Sequence, residues 1–106
     1  MNYLLPYLSQ GVAFFVKKEK KVETRVAVMG IIVENPSSVE SLNLLLHEYG
    51  EYIVGRMGLP YKKRNINIIS VAIDAPQDVI SSLSGKIGKL NGISVKTAYS
   101  GVISYE

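Results

Sequence analysis

The chain contains no cysteine and a single histidine in its 106 residues. Without cysteine there is no disulfide framework, no zinc–thiolate site and no thiol nucleophile. One imidazole, His47, does not make a tight metal site within a monomer, because such a site draws on several nitrogen, sulfur or oxygen ligands. No apolar run approaches the roughly 20 residues that a membrane-spanning helix needs. Strong charge of one sign is also missing: 12 Lys and Arg against 9 Asp and Glu leave a net charge of +3. So mild a basicity suits solubility and falls far short of a nucleic-acid footprint. A cytoplasmic protein without a membrane span is the expectation.

What is present describes one globular domain. The hydrophobic fraction is 47% and the charged fraction 20%, in the range of chains that bury a real core without staples. The most apolar stretch is Ile66–Pro76, with polar residues only at Asn67, Ser70 and Asp74. It reads as a strand buried on both faces. Forty positions earlier, Ile31-Ile32-Val33-Glu34-Asn35-Pro36 matches Val71-Ala72-Ile73-Asp74-Ala75-Pro76, and the register continues to Ile53 and Ile93. A strand, an acid, a proline and a helical pattern therefore occur twice.

Taken in order, Arg25–Val33 is a β-branched first strand. Asn35 can cap the first helix with Pro36 at its first position, or Ser37 can cap it with Glu40 as a capping box. Val39, Leu42, Leu45, Leu46 and Tyr49 give that helix one apolar face, and Gly50 is a natural stop. A second strand starts at Tyr52 and reaches Met57 or Tyr61, with Pro60 placing that end at a sheet edge. Lys62–Asn65 turns the chain into the third strand, Ile66–Asp74. Pro76 starts a second helix whose Gly85 and Gly88 suggest close packing, because each costs about 1 kcal/mol against alanine. Ile93–Tyr99 is the fourth strand.

Two right-handed βαβ halves of this kind give an α+β, ferredoxin-like βαββαβ sandwich: a four-stranded antiparallel sheet with two helices on one face. The first and third strands lie at its centre. The other face of the sheet is left bare, and apolar residues of both parities suggest that a second copy covers it. Residues 25–100 form the domain, 101–106 a C-terminal tail and 1–24 an N-terminal extension. Three readings of the extension stand open: loosely ordered chain, an amphipathic contact for a partner or membrane surface, or an artefact of an early start codon.

Four blocks carry a resemblance. They are Gly30–Asn35, Gly55–Tyr61, Leu83–Leu90 and Gly92–Thr97. In order and spacing they closely resemble the small regulators of the iron-only hydrogenase system, over roughly three-quarters of the chain. The resemblance implies a free-standing ACT-like domain, related to the ligand-sensing half of the nickel-responsive repressor. It also implies a regulatory role in hydrogenase expression or maturation, through an effector that the family name leaves unidentified. The extension before Arg25 departs from the family pattern.

No catalytic group emerges, because Ser81, Ser82 and Ser84 lie in a helix pattern without a base nearby. Gly85-Lys86 lacks the upstream glycine and the following Ser or Thr of a phosphate loop. An enzyme and a cofactor are therefore not expected. Lys62-Lys63-Arg64 reads as a soluble turn, and autonomous DNA binding is disfavoured. Arg56 stands in an otherwise apolar strand beside Gly55, where it either holds a carboxylate or phosphate or acts as an edge-strand charge against aggregation. The repeat places Lys96 at the matching point of the fourth strand. Glu34 and Asn35 lie in the loop where ACT-like domains commonly bind effectors, and capping is their plainer role. His47 is a metal candidate only if symmetry pairs it across an oligomer. The expected partners are another copy, as homodimer or higher homo-oligomer, and an unknown small effector. The alternative is an interaction module without an effector, acting on a maturation or transcription partner.

Overall fold

The computed structural model describes residues 22–105. The sheet is built from β1 (Glu23–Val33), β2 (Ile53–Tyr61), β3 (Ile66–Ala75) and β4 (Ile93–Tyr105), with helices α1 (Val39–Glu48) and α2 (Gln77–Gly88). Strand order is β2-β3-β1-β4, and every neighbouring pair is antiparallel. This is the expected ferredoxin-like sandwich, with the two most apolar strands, β1 and β3, at the centre.

Alternation sorts the side chains of the central strands. Ala27, Met29, Ile31 and Val33 of β1, with Ile69, Val71, Ile73 and Ala75 of β3, are buried against Leu42 and Leu46 of α1 and Ile80, Leu83 and Ile87 of α2. At about 1.5–3 kcal/mol for each large side chain withdrawn from water, this single layer dominates the stability of the fold. The even-numbered residues point the other way. Val26 and Val28 are 46% exposed, and Ile68, Ser70, Ala72 and Asp74 are half-buried. Within one chain, β3 is thus buried on one face only, and the two-sided apolar pattern leaves an apolar sheet face open.

Several local expectations are corrected. The N-terminal boundary moves back, because β1 begins at Glu23 rather than Arg25 and pairs with the end of β4 (Glu23↔Tyr105, Arg25↔Ile103). Residues 101–105 are therefore strand and not a tail: the earlier start of β1 gives their backbone groups a partner. The first 21 residues of the proposed extension lie outside the described residues. Of the two caps, Asn35 is used. Its Oδ1 accepts from the Ser37 N–H at 3.0 Å and from Ser37 Oγ at 2.7 Å, so Ser37 is a donor to the cap and not the cap. Pro36 opens a 3-10 turn (Pro36–Ser38) that precedes α1, whereas Pro76 leads directly into α2. Gly50 does not end α1 in a left-handed conformation. The helix closes at Tyr49, and Gly50–Tyr52 forms another 3-10 turn. Gly85 has open space where a Cβ would stand, and at Gly88 a Cβ would only touch Val95 at an ordinary 3.7 Å. Close packing does not explain these glycines.

Candidate functional site

Of the residues singled out from the sequence, Glu34 stands beside the turn of the β2–β3 hairpin and Arg56 lies within β2, where one irregularity determines its placement. Between Ile53 and Gly55 the register of β2 against β3 shifts: Ile53 faces Ile73, but Gly55 faces Ala72. One extra residue is inserted there, and a β-bulge of this kind reverses the faces of everything beyond it. Arg56, opposite Val71, is thereby turned to the helix side, while Met57 and Leu59, opposite Ser70 and Ile68, are turned to the bare side. Lys96 has no such bulge before it and stays on the bare side, opposite Gly30. The 40-residue repeat thus fails at Arg56 and Lys96, which project from opposite faces of the sheet. Gly55 beside Arg56 marks no close backbone approach among the described residues, since nothing there lies within 4 Å of where its Cβ would stand.

On the helix side, Arg56 Nη2 donates to Asn43 Oδ1 of α1 at 2.9 Å. The pair lines a hollow of about 260 Å³ with Val39, Gly58, Pro60, Asn67 and Ile69. A guanidinium and two carboxamides face an apolar wall there. Such a lining suits a small anion, bound bidentately through a carboxylate or phosphate, that carries an apolar substituent. Asn43 and Asn67 escaped the sequence reading as site residues. Asn67 carried a signal, as one of three polar residues in an apolar strand, whereas a solvated helix offers no reason to single out Asn43.

Glu34 lines a different hollow, of about 310 Å³, with Arg64, Asn65 and Ile66 at the hairpin turn. Asn65 ends the turn in the left-handed conformation that asparagine tolerates, with φ 56°. Glu34 and Arg56 are therefore not brought into one cavity. Asn35 lines neither hollow, and its carboxamide oxygen is committed to the cap. The backbone beside it is tied down as well. The Glu34 N–H donates to the Gly92 carbonyl at 2.7 Å, and Ser38 Oγ, in a buried residue, donates to the Asn91 carbonyl at 2.6 Å. The first strand–helix loop is thus pinned to the turn that precedes β4.

His47 lies on the exposed side of α1, and the described residues contain no group of three or more His, Cys, Asp and Glu placed to hold a metal ion. Between the helices, the Tyr49 hydroxyl and Ser82 Oγ are 3.2 Å apart, and Lys86 Nζ stands 5.2 Å from the centre of the Tyr49 ring. The hydrogen bond with Lys86, followed by that with Ser82, lowers the Tyr49 pKa, and the same contact with Tyr49 raises that of Lys86. Lys86 is exposed and Tyr49 half-buried, and no hollow adjoins them among those described. No helix of the described residues is long and apolar enough to cross a membrane.

The architecture defines a small ferredoxin-like α+β domain with a bare apolar sheet face and two shallow hollows beside its hairpin. Residues 25–97 match the TM1266-like family model, whose description is "Iron-only hydrogenase system regulator, putative"; the chain belongs to that family. Among solved structures, it is similar to the uncharacterized protein TM1266 from Thermotoga maritima, with 34% identity and a TM-score of 0.69 over 72% of this chain and 96% of that one. A formyltetrahydrofolate deformylase from Pseudomonas putida KT2440 is similar at a TM-score of 0.51 and 11% identity, over 69% of this chain and 28% of that one. At that identity the likeness is one of fold alone. No curated protein matches the chain.

Proposed function

We propose that this chain is a non-enzymatic regulatory domain of the iron-only hydrogenase system that works as a cytoplasmic homo-oligomer and senses a small effector. The bare sheet face carries the reading. Val26, Val28, Met57 and Leu59 are 46%, 46%, 70% and 60% exposed, and Ile32 and Ile68 are half-buried beside them. A contiguous apolar patch of this kind marks an interaction surface, and a second copy of the chain is the occupant that requires no further component.

The effector belongs at the hairpin end. Arg56 supplies charge and a planar donor fork, Asn43 and Asn67 supply carboxamides, and Val39 and Ile69 supply apolar contact. Glu34 with Arg64 forms the neighbouring hollow, and Asn35 shapes the loop between them. A thermal-shift screen of the full chain with amino acids, small carboxylates, nucleotides and divalent metals tests this reading. A saturable stabilisation by an anionic compound supports it. No shift with any compound favours an interaction module that docks on a maturation or transcription partner through the same sheet face.

A further inference from the structure

Among the described residues, the bare face carries charge at two positions only across its four-stranded part, and the two are of opposite sign. Asp74 lies on β3 opposite Val26, and Lys96 lies on β4 opposite Gly30. Everything around them on that face is apolar or small: Val26, Val28, Ile32, Ala72, Ala98 and Met57 among others. Asp74 is half-buried, and its Oδ1 is shielded from solvent without a hydrogen-bond partner among the described residues. A shielded carboxylate oxygen without a partner is costly, and native proteins normally satisfy such atoms. This one lies on the face that a partner would cover.

The placement of the two charges is symmetric. Val28 faces Ala72 on one side and Ala98 on the other. Asp74 lies two residues beyond Ala72, and Lys96 two residues before Ala98, on strands that run in the same direction. The two charges therefore stand at equal distances on opposite sides of Val28, roughly 8 Å from it and roughly 16 Å from each other by standard strand spacings.

We propose that a second copy of this chain stacks on the bare face about a two-fold axis through Val28, so that Lys96 of each copy meets Asp74 of the other. An axis lying in the interface, perpendicular to the line between the two charges, exchanges their positions and sets Val28 against its own counterpart. Packed sheets are separated by about 10 Å, a gap that a lysine side chain crosses. The strands of the two sheets cross at roughly 70°, nearer the orthogonal than the aligned packing class. The four-stranded face has a footprint of roughly 500 Å² before side-chain relief is counted. That approaches the ~600 Å² per partner at the lower end of stable interfaces. Two symmetric ion pairs on an otherwise apolar or small-residue face fix the register of such an interface, because any other stacking leaves Asp74 unpaired.

This inference rests on the oligomeric reading above and adds the pairing that specifies it, and charge exchange separates the two. The wild-type full chain is expected to sediment as a dimer or a multiple of dimers. Asp74→Lys sets two lysines opposite each other and Lys96→Asp two aspartates. Each is expected to raise the dimer dissociation constant at least tenfold, with circular dichroism unchanged. Mixing the two single variants creates complementary faces, so a heterodimer is expected to form with near wild-type affinity. If Asp74→Lys does not fold, Lys96→Asp alone decides, because Lys96 is exposed on β4: the pairing requires it to dissociate. An oligomeric wild type whose charge variants stay equally oligomeric, or whose mixture does not associate, overturns the pairing and leaves the oligomeric reading intact. A monomeric wild type overturns both.

Discussion

Arg56 reaches Asn43 only because β2 carries one residue more than β3 requires. The bulge between Ile53 and Gly55 turns Arg56 to the helix side, and its guanidinium then lies 2.9 Å from the Asn43 carboxamide. The same bulge turns Met57 and Leu59 outward onto the bare face. One backbone irregularity therefore builds both proposed surfaces, the effector hollow and the docking face.

Because the Arg56–Asn43 bond is exposed, Arg56→Ala is expected to change unfolding free energy by less than about 1 kcal/mol. It is expected to abolish any thermal shift caused by an anionic effector. Arg56→Lys keeps the charge and loses the planar fork, so it should retain only part of that shift. Urea denaturation and the ligand screen read the two effects separately. A large loss of stability, or an undiminished effector response in Arg56→Ala, would show that Arg56 serves the fold and not a ligand.

Two glycines are expected to respond in opposite directions to alanine. Gly92 has φ +71°, and a Cβ there would stand 2.5 Å from Asn35 Cβ and 3.0 Å from its backbone nitrogen. Left-handed strain alone costs about 1–2 kcal/mol, and the collision adds to it, so Gly92→Ala should destabilise by at least about 2 kcal/mol. Gly85 lies within α2 with open space around the missing Cβ, and Gly85→Ala should stabilise by about 0.5–1 kcal/mol. Urea curves at fixed protein concentration check both values. A shared sign for the two substitutions would refute the assignment.

Tyr49 and Lys86 make a pH-dependent contribution whose sign follows from their shifts. The Tyr49 pKa is lowered from 10.0, so its contribution is present above that value and disappears as pH falls through the lower folded pKa. The Lys86 pKa is raised from 10.5, so its contribution is present below that value and disappears as pH rises through the higher folded pKa. The Tyr49 contribution therefore belongs to alkaline pH, whereas that of Lys86 is present at neutral pH and is lost only as pH rises through its raised pKa. An ultraviolet phenolate titration should show one tyrosine ionising early, and Lys86→Met should return it to the ordinary range. Superimposable titration curves for the two proteins would contradict the contact.

The sequence made the strand order, the central position of β1 and β3, the edge position of β2 and the one-sided helices legible, because two strand–acid–proline–helix halves repeat, near-continuous apolar runs mark Ile31–Val33 and Ile66–Asp74 as central, and helical period is written in Leu42–Leu46 and Ile80–Ile87. The bulge was not legible. Val54, 70% exposed, is as good a strand residue as its neighbours, and only the facing residues of β3 show that it is one too many. For that reason the repeat-based pairing of Arg56 with Lys96 fails. The extension of β4 to Tyr105 was hidden by Ser100-Gly101, a turn-like pair that falls in the register shift of β4 between Tyr99 and Ile103, beyond which β1 resumes the pairing. Glu34 and Arg56 were legible as unusual residues, but their separation into two hollows depends on the hairpin geometry, and the role of Asp74 depends on which face it occupies.

The central claim is that the bare sheet face is covered by another copy of this chain. Light scattering coupled to size exclusion, run on the full chain from low to high micromolar concentration, tests it most directly. The account predicts a mass of at least two chains of 11.7 kDa each, falling toward one chain when Lys96 is changed to Asp. A single-chain mass for the wild type across the whole concentration range would contradict it.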